Sequence, residues 1–422
     1  MTDRVTTVVV VGQGYVGLPV AMRAVEQGYR VIGVDLDTRR IDSLRAGESY
    51  VDDIPNDVLR DALAAGSYTP TTDYADAAGF DVAVITVPTP LRDSLPDLSF
   101  IESSGASLAA LLTAGATVVL ESTTYPGTTE ELLVPLLESG SGLVAGVDFH
   151  VGYSPERIDP GNTTWGFVET PKVVSGISPA SLVAVQAFYD TLVNTTVAVS
   201  GTREAELTKL LENTFRHVNI ALVNELAIFA HQLGVNVWES IDAASTKPFG
   251  FMKFTPGPGV GGHCLPVDPS YLSWQVRREL GQNFRFVELA NDINDRMPDY
   301  VAQRLMLQLN GAGKAVRGST IALVGLAYKK NTGDIRESPA LRLIVLLREY
   351  GATILAVDDH VEAQRWPQGV EQVALDEATL ARADAVVLIT DHDSLELDLL
   401  NHTQTLVLDT RNRLTGDRIE RL

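Results

Sequence analysis

The sequence predicts an α/β protein with two doubly wound parallel-sheet domains joined by a central helical domain that contains one long helix. Short β-branched runs alternate with helical patterns through the first third of the chain. From Arg203 to Gln232 a helical period continues without Gly or Pro. The alternation of strands and helices returns at Thr320. The predicted domain boundaries are 1–198, 199–310 and 311–422.

The first domain has the rhythm of a parallel sheet with crossover helices. Each apolar run is short enough for a buried strand, and each is followed by a segment with helical spacing. This order predicts a Rossmann-like sheet with helices on both faces. The predicted strands are 5–11, 30–35, 80–86 and 117–121, and the helices between and after them are 16–28, 37–46, 99–114 and 128–139.

The middle of the chain combines a long helix with an irregular segment. A helix over 203–232 is about 45 Å long, and helices of that length usually link domains or form a dimer seam. Residues 246–269 are dense in Gly and Pro, which predicts irregular and functional chain. A helix near 284–309 follows. The second Rossmann-like domain is predicted from strands 320–325, 353–358, 385–390 and 406–409, with a helix from about Ser338.

Composition limits the partners of this protein. Of its 422 residues 45% are hydrophobic, which predicts several folded domains. With 54 acidic and 33 basic residues the formal charge is -21. We therefore expect no nucleic acid and no anionic membrane as the main partner, because both are polyanions. A small phosphate ligand remains compatible, since a helix N-terminus with one Lys or Arg can bind it.

The N-terminus and the cysteine count predict a cytoplasmic location. The first apolar run is broken by Gly12 after a few residues, so it is too short for a signal peptide or a membrane span. The chain has one cysteine, so an intramolecular disulfide is impossible. A reducing compartment fits both observations.

The first strand leads into the glycine pattern of a dinucleotide-binding loop. Gly12 allows a tight turn, Gly14 lets the backbone approach a pyrophosphate, and Gly17 allows the helix to pack on the strand. The second strand ends at Asp35, 18 residues after Gly17. This acid can accept hydrogen bonds from both ribose hydroxyls and would repel a 2′-phosphate, which favours NAD over NADP. The alternatives are a turn without a ligand, and Asp35 as the helix N-cap before Thr38.

The single cysteine, Cys264, is a candidate nucleophile. Four glycines and two prolines precede it within PGPGVGGHC, and such a loop lets backbone and ligand approach closely. A lone cysteine is often a buried apolar side chain, and that alternative stays open. The glycine-rich setting favours a reactive thiolate. A zinc site is not predicted, because His263 and Cys264 are adjacent and no second cysteine exists.

Polar residues on the long helix share one face. They recur at intervals of three or four residues, which aligns them on a helix. One alternative is a solvated charged stripe. The apolar residues around Asn213 and His217 favour a buried helix instead, and a lysine held there suits proton transfer from an alcohol. The face consists of Glu206, Lys209, Asn213, Arg216 and His217.

Three further segments follow predicted strands. They are 87–90 (VPTP), 121–127 (ESTTYPG) and 154–162 (SPERIDPGN). Ligands of open α/β sheets bind at the carboxyl ends of the strands, so the first two segments are positioned to line a cofactor crevice. Glu156 could orient a water molecule; alternatively, Glu156 and Arg157 are ordinary surface charges.

Together these motifs resemble the UDP-glucose/GDP-mannose dehydrogenase family over nearly the whole chain. In chain order they are GQGYVGLP, VPTP, ESTTYPGTTE, SPERIDPGN, TKLLENTFRHVNIALVNE, PGPGVGGHCLPVDP and GLAYKKNTGDIRESPA. The resemblance implies an N-terminal NAD-binding domain, a central dimerisation domain with the catalytic cysteine loop, and a C-terminal domain that binds the nucleotide sugar. It also implies NAD as cofactor, a nucleotide sugar as substrate and a homodimer.

The resemblance also implies roles for individual residues. Cys264 would be the nucleophile, Lys209 would handle the alcohol proton or stabilise oxyanions, and Asn213 would donate to an oxyanion. Water would be positioned or activated by Glu156, Asp268 and Thr123. The NAD contacts would be Gly12, Gly14, Tyr15, Val16, Gly17, Asp35, Arg40, Thr89, Thr123 and Arg336. The substrate contacts would be Glu156, Arg157, Ile158, Lys209, Asn213, Arg216, Lys247, Gly261, Lys329 and Lys330.

The implied reaction is a four-electron oxidation of a sugar alcohol to an acid. The alcohol becomes an aldehyde, Cys264 adds to it as a thiohemiacetal, and a second oxidation leaves a thioester that water cleaves. Two rival functions are an ordinary two-electron dehydrogenase and a non-catalytic protein that kept the fold. The presence of Cys264, Lys209, Asn213 and Asp268 together argues against the second rival.

Departures from the UDP-glucose branch indicate the sugar. That branch typically reads GGSC with a lysine before the aspartate, whereas this chain reads GGHCLPVDP. SPERIDPGN with PKVVSG resembles the branch that acts on UDP-N-acetylhexosamines. Within it the sequence slightly favours UDP-N-acetylglucosamine over the mannosamine epimer, whose enzymes often read AVDPW. UDP-glucose and GDP-mannose are the alternatives.

Overall fold

The computed structural model describes residues 6–51, 53–92, 95–158, 164–262 and 264–422. The chain forms two compact units, Met1–Glu212 and Asn213–Leu422. The division into three domains at residues 198 and 310 is finer and stays a prediction.

The first unit contains the first Rossmann-like sheet. Its strands are β1 (Thr7–Val11), β2 (Arg30–Val34), β3 (Tyr68–Thr71), β4 (Val82–Ile85), β5 (Leu91–Arg92), β6 (Leu95–Pro96), β7 (Thr117–Leu120), β8 (His150–Tyr153), β9 (Lys172–Val174) and β10 (Thr196–Ala198). Its helices are α1 (Gly17–Glu26), α2 (Thr38–Arg45), α3 (Asn56–Ala64), α4 (Ser99–Ala109), α5 (Val134–Ser141) and α6 (Pro179–Leu192), with a 3-10 turn at Tyr74–Ala77 and a π turn at Thr129–Leu133.

The main sheet of this unit is parallel throughout the described residues. Its strand order is β3-β2-β1-β4-β7-β8, the doubly wound order. Both faces are covered: Val8 and Val10 of β1 pack into one apolar cluster, and Val9 and Val11 pack into another. Such two-sided burial explains why the strand is a continuous run of valines. Beside the sheet, β9 pairs with β10 in parallel and β5 pairs with β6 antiparallel.

Helix α7 (Thr202–Gln232) continues from the first unit into the second, and the predicted helix over 203–232 matches it. It is followed by α8 (Val237–Ser245), α9 (Cys264–Leu280) and α10 (Arg285–Gly311). The prediction that 246–269 is irregular is wrong for its last part, because α9 begins at Cys264. Pro266 falls in the first helical turn, where a missing backbone N–H costs no hydrogen bond.

The second sheet has the strand order of the first. Its strands are β11 (Thr320–Val324), β12 (Thr353–Val357), β13 (Glu371–Gln372), β14 (Ala385–Leu388), β15 (Leu406–Asp409) and β16 (Ile419–Arg421). Its helices are α11 (Pro339–Glu349), α12 (Glu377–Arg382) and α13 (Asp398–His402), with a 3-10 turn at Ala363–Arg365. Over the described residues the strands are parallel in the order β13-β12-β11-β14-β15-β16. The predicted fold class is therefore confirmed.

Four strands of the two sheets lie outside the predicted set. β3 contains Pro70, which a sheet tolerates at an edge because the missing N–H can face solvent. β13 and β16 have two and three residues and are exposed for the most part. β8 reads HVGY, with too little alternation to be recognised. Among the helices of the described residues, none combines the length and apolarity that crossing a bilayer requires.

Candidate functional site

The glycine loop after β1 has the geometry of a dinucleotide-binding turn. Gly12 has φ +91°, and a Cβ on it would lie 2.8 Å from the carbonyl oxygen of Thr86. A Cβ on Gly17 would lie 1.8 Å from the Gly12 oxygen, so α1 can start this close only with glycine there. A Cβ on Gly14 would instead lie 3.9 Å from the tip of the long Arg40 side chain, which leaves it room. Gly14 is therefore the position at which a ligand can approach the backbone.

Asp35 follows β2 and is 9% exposed. Its Oδ2 accepts from the backbone N–H of Gln13 at 2.9 Å and from Arg40 at 3.2 Å, and its Oδ1 accepts from the N–H of Asp37. The alternative of Asp35 as the N-cap of α2 is wrong. Asp37 is the cap and accepts from the N–H of Arg39, because helix α2 starts at Thr38 and the cap directly precedes it.

Other predicted cofactor residues lie around this loop. Arg40 is an ion-pair partner of Asp35, and its guanidinium lies 5.8 Å from the ring centre of Tyr50. Tyr15 is 53% exposed, and Val16 precedes the first residue of α1. Of these residues, Arg40 lies nearest to the open side of Gly14. The loop, the helix start and Asp35 fit the pyrophosphate and ribose of NAD.

Thr89 and Thr123 meet at the carboxyl ends of neighbouring strands. Thr89 follows β4, Thr123 follows β7, and the Thr89 hydroxyl donates to the Thr123 carbonyl at 2.8 Å. Ser122 donates to the carbonyl of Val87 at 2.7 Å. Both predicted loops, 87–90 and 121–127, therefore line the same end of the sheet as Gly12, as expected.

Glu156 belongs to a buried ion cluster. Its Oε2 lies 2.8 Å from the ammonium of Lys172, which also lies 2.9 Å from Glu121. Its Oε1 accepts from the backbone N–H groups of Arg157 and Ile158. Burial alone would raise the pKa of Glu156, but Lys172 and these donors lower it. The alternative that Glu156 is an ordinary surface charge is wrong.

Arg157 is paired within the same unit. Its guanidinium lies 2.6 Å from Glu212 on α7 and donates to the carbonyl of Pro171, also at 2.6 Å. It is not an ordinary surface charge either. The rest of the predicted motif, 159–162, lies outside the described residues. Ile158, the last described residue of this segment, is half-buried.

The polar face of α7 is mostly buried, so the alternative of a solvated charged stripe is wrong for it. Glu206 and His217 are at most 1% exposed and Lys209 is 9% exposed, whereas Arg216 is exposed. The Lys209 ammonium makes no hydrogen bond or ion pair with a described residue, yet its charge helps to lower the pKa of Glu156. A buried lysine without a partner is costly, which marks it as a functional candidate.

Glu206 has a structural role in this unit. Its carboxylate accepts from the N–H of Gly127 at 2.5 Å and from the N–H and hydroxyl of Thr129 at 2.9 and 2.7 Å. These bonds tie the loop after β7 to α7. Burial raises the pKa of Glu206 to about 7, although the hydrogen bonds act in the opposite direction.

In the second unit α7 and α9 bring Asn213 and Asp268 together. The Asn213 amide donates to Asp268 at 2.6 Å, and Asp268 is 1% exposed. Cys264 is the first residue of α9 and stands four positions before Asp268, one helical turn away. Predicted His263 lies outside the described residues.

The glycine-rich loop before α9 is held from two sides. The N–H of Gly257 donates to Asn224 at 2.9 Å, and Asn224 donates to Asn294 at 2.9 Å. Gly261 has no room for a side chain, since a Cβ there would lie 2.7 Å from Tyr328. Sequence reasoning missed both asparagines, although buried polar residues in apolar helices are a recognisable signal.

Arg411 is a second residue that sequence reasoning missed. Its Nε donates to the carbonyl of Ile389 at 2.5 Å, and a Cβ on Gly257 would lie 3.1 Å from its Nη1. The two terminal nitrogens make no hydrogen bond with a described residue. Burial lowers the pKa of this guanidinium. A half-buried guanidinium with free donors beside a glycine loop can bind an anion.

The predicted substrate cations differ in availability. Lys330 is ion-paired with Asp393 at 2.6 Å. Arg336, which was predicted as an NAD contact, is hydrogen-bonded to Asp334. Lys247 is exposed, with its ammonium 4.8 Å from the ring centre of Phe249. Lys329 is half-buried in the loop after β11.

The second sheet has an acid at the position of Asp35, but its acceptors are occupied. Asp358 accepts from the backbone N–H groups of Leu326, Ala327, His360 and Val361 and lies 3.1 Å from His392. Although burial would raise it, these donors and His392 lower the pKa of Asp358 to about 2. The carboxylate is 4% exposed and has no acceptor position left for a ribose.

Comparison with known proteins identifies the family. Residues 6–193 match the NAD binding domain of the UDP-glucose/GDP-mannose dehydrogenase family, 203–296 its central domain and 322–416 its UDP binding domain. A UDP-N-acetyl-D-mannosamine dehydrogenase of Pyrococcus horikoshii is 38% identical over 91% of this chain and 89% of its own length. An NDP-N-acetyl-D-galactosaminuronic acid dehydrogenase of Ralstonia solanacearum is 36% identical over 98% of this chain and 97% of its own.

A solved structure agrees with these sequence matches. The UDP-D-ManNAc dehydrogenase of Pyrococcus horikoshii superposes with a TM-score of 0.88 at 35% identity, and the match covers 99% of both chains. The predictions of the family, of NAD as cofactor and of nucleotide-sugar oxidation are confirmed. The chain belongs to the UDP-glucose/GDP-mannose dehydrogenase family and is an NAD-dependent nucleotide-sugar dehydrogenase.

Proposed function

We propose that this enzyme oxidises the C6 alcohol of a UDP-N-acetylhexosamine to the carboxylate through a thioester on Cys264. The observation that carries the proposal is the pairing of Asn213 with Asp268 on the helix that begins at the sole cysteine. Helix N-termini stabilise thiolates, so the first residue of α9 suits a nucleophile. Two equivalents of NAD would accept the two hydrides.

The first oxidation needs a group that manages the proton of the alcohol. Lys209 is buried and has no partner among the described residues, so its nitrogen is available for that proton or for stabilising a developing alkoxide. Loss of the proton and of a hydride from C6 gives the aldehyde. Asn213, one turn further along α7, would donate an amide hydrogen bond to the oxygen.

The second oxidation proceeds on the enzyme. The Cys264 sulfur adds to the aldehyde carbon, and the oxygen takes up a proton to form the thiohemiacetal. Loss of that proton and of a second hydride gives the thioester. One water then cleaves it to the acid and the free thiol. Glu156, Thr123 and Asp268 would position or activate that water, and Glu156 is held by Lys172 and two backbone N–H groups.

The remaining predicted residues would bind the two ligands. For NAD these are Gly12, Gly14, Tyr15, Val16, Gly17, Asp35, Arg40, Thr89, Thr123 and Arg336. For the nucleotide sugar they are Arg157, Ile158, Arg216, Lys247, Gly261, Lys329 and Lys330, to which we add the half-buried Arg411. Lys330 would have to exchange Asp393 for the ligand.

The names of the relatives are relevant to the identity of the sugar substrate. The relatives from Pyrococcus horikoshii and Ralstonia solanacearum carry the names of N-acetylmannosamine and N-acetylgalactosaminuronic acid dehydrogenases. We therefore put UDP-N-acetylmannosamine first, ahead of the glucosamine epimer that the sequence slightly favoured. UDP-glucose and GDP-mannose are the alternative substrates within the family.

We also propose a homodimer formed through α7. In its second-unit part the helix exposes an apolar stripe with side chains between 46% and 77% accessible, and apolar surface of this extent marks an interaction site. A second copy of this chain is the occupant we infer, because one continuous helix can pair with itself about a twofold axis. The stripe consists of Phe215, Leu222, Leu226 and Phe229 of α7 and of Leu233, which directly follows the helix.

The decisive experiment counts NADH formed per sugar consumed and determines the product mass. Two NADH and a gain of 14 Da, the replacement of CH2OH by COOH, support the proposal, whereas one NADH with an aldehyde or ketone product contradicts it. Cys264→Ser should lose acid formation. Because Cys264 is the only cysteine, iodoacetamide labels one site, and intact mass with the unlabelled Cys264→Ser protein as control reports its modification. Normal turnover by the serine variant excludes the covalent route.

A further inference from the structure

We propose that Lys172 is a positioning residue for the acid-forming step, which holds the Glu156 carboxylate ready to receive the hydrolytic water. The inference rests on the proposed function, since it assigns Glu156 to the cleavage of the thioester. Lys172 was not among the residues that the sequence singled out. It is the first residue of β9, and its side chain is 3% exposed.

Lys172 contacts two carboxylates, which differ in their other hydrogen-bond partners. Glu156 lies 2.8 Å from its ammonium and Glu121 lies 2.9 Å away. Glu121 also accepts from the hydroxyl of Tyr189 at 2.5 Å, on the same oxygen that faces Lys172. The ammonium lies 5.4 Å and 5.3 Å from the ring centres of Phe167 and Tyr189. A buried cation with ionic and aromatic partners has little freedom to move.

Glu156 keeps one acceptor position free for a water molecule. A carboxylate has about four lone-pair positions. Among the described residues, the N–H groups of Arg157 and Ile158 and the ammonium of Lys172 occupy three of them. These donors fix the direction of the remaining lone-pair position. A group that orients a reacting water needs an acceptor with such a fixed direction.

The charges around Glu156 decide which carboxylate is ionised. Lys172 comes from β9, Glu121 from the end of β7, Tyr189 from α6 and Lys209 from α7. Burial raises the pKa of Glu121, whereas Lys172 overcomes burial and lowers the pKa of Glu156. Burial and Glu121 raise the pKa of Tyr189, which therefore stays neutral. Lys172 is the ammonium that contacts both glutamates, and one ammonium balances one carboxylate, so Glu121 ionises only at higher pH than Glu156.

Two substitutions should move the pH dependence in opposite directions. Lys172→Met removes the positive charge, so the pKa of Glu156 rises and the acid limb of acid formation moves to higher pH. Glu121→Gln removes the competing carboxylate, so the limb moves to lower pH. When the limb moves by about one pH unit, the ionised fraction of Glu156 at a given pH on that limb changes by about tenfold. Lys172→Arg keeps the charge and should restore most of the wild-type profile.

The test measures NADH formation and release of the acid in single turnovers with the nucleotide sugar from pH 3 to 8, a range that extends below the ordinary glutamate value because the pKa of Glu156 is lowered. In Lys172→Met the first NADH should form at the wild-type rate, while on the acid limb hydrolysis slows about tenfold and the thioester accumulates as a mass adduct. Unmoved limbs in Lys172→Met and Glu121→Gln, or limbs that move in the same direction, overturn the inference.

Failure of the proposed function has a different signature. It is visible in the wild type alone, as one NADH per sugar or as the absence of any covalent adduct. Circular dichroism checks that each variant is folded. If Lys172→Met does not fold, the Glu121→Gln profile decides alone: a limb at lower pH supports the role of the cluster, and an unchanged limb excludes it.

Discussion

Asp35→Asn should change the preference between NAD and NADP. The carboxylate ends β2 beside the glycine loop, with Gln13 and Arg40 as donors to its Oδ2. Asparagine keeps the size of the side chain and removes the negative charge. Arg40, released from its ion pair, is then available to a 2′-phosphate.

The magnitude follows from the charges. We treat the Arg40 guanidinium and the 2′-phosphate of NADP as two unit charges about 4 Å apart. Such charges attract each other by about 4 kcal/mol at an effective dielectric constant of 20. Because the Arg40 side chain is 44% exposed, we take about half of this value, 2 kcal/mol, which is about 30-fold in the Kd of NADP(H). Loss of a charge-assisted hydrogen bond to the ribose costs about 1.5 kcal/mol, or about tenfold in the Kd of NAD(H). The ratio of the two constants should change by about 300-fold.

Fluorescence titration with NADH and NADPH measures both constants without a sugar substrate. Asp37→Asn is the matched control, because Asp37 caps α2 and asparagine caps equally well, so the ratio should not change. Adding Arg40→Ala to Asp35→Asn should remove the gain in NADPH affinity. A ratio for Asp35→Asn that stays within about threefold of the wild type refutes the assignment of Asp35 to the ribose.

Three further outcomes are expected. Phe229→Glu should place a charge on the apolar stripe and shift the protein from dimer to monomer, as measured by light scattering after size exclusion; an unchanged mass contradicts the proposed interface. In the folded protein the pKa of Glu206 is raised from 4.5 to about 7, so its contribution to stability is present below pH 4.5 and lost as the pH rises through 7. Glu206→Gln cannot ionise and should gain stability relative to the wild type by up to about 3 kcal/mol between pH 5 and 8, and parallel urea midpoints across that range contradict this. Asn224→Ala leaves the Gly257 N–H without its acceptor, which costs about 1 to 3 kcal/mol. It should lower kcat while the Kd of NADH is unchanged, and unaltered turnover argues against a role for this bond in holding the loop.

Local patterns were sufficient to predict the fold class and the cofactor. The glycine spacing, the acid after the second strand and the helical period of α7 are short-range features whose physical meaning does not depend on distant residues. The roles expected for Gly12, Gly14 and Gly17 correspond to a positive φ, an open approach and a close helix contact. Domain boundaries, individual site roles, the dimer and the location stay predictions.

Pairing over long distances in the sequence could not be predicted. Lys172 meets Glu121 across 51 positions, and nothing in either local sequence says that the charges are buried together. Arg411 follows an acid at the end of β15 and looks like a surface arginine until the sheet places it beside Gly257. The start of α9 at Cys264 was missed because Pro266 and Pro269 read as helix breakers. The first turn tolerates Pro266, whereas Pro269 lies inside the helix.

The fully hydrogen-bonded carboxylate of Asp358 also affects which of the two sheets can bind the coenzyme. Two sheets of the same strand order would offer two crevices to the same abundant coenzyme, and a dinucleotide lodged in the wrong one would compete with the substrate. With five donors on Asp358, and with Ala327 and Lys330 where Gly14 and Gly17 stand in the first sheet, that crevice discriminates against such unproductive occupancy. Engineering a second coenzyme site there would require removing hydrogen-bond donors from the Asp358 carboxylate as well as rebuilding the loop.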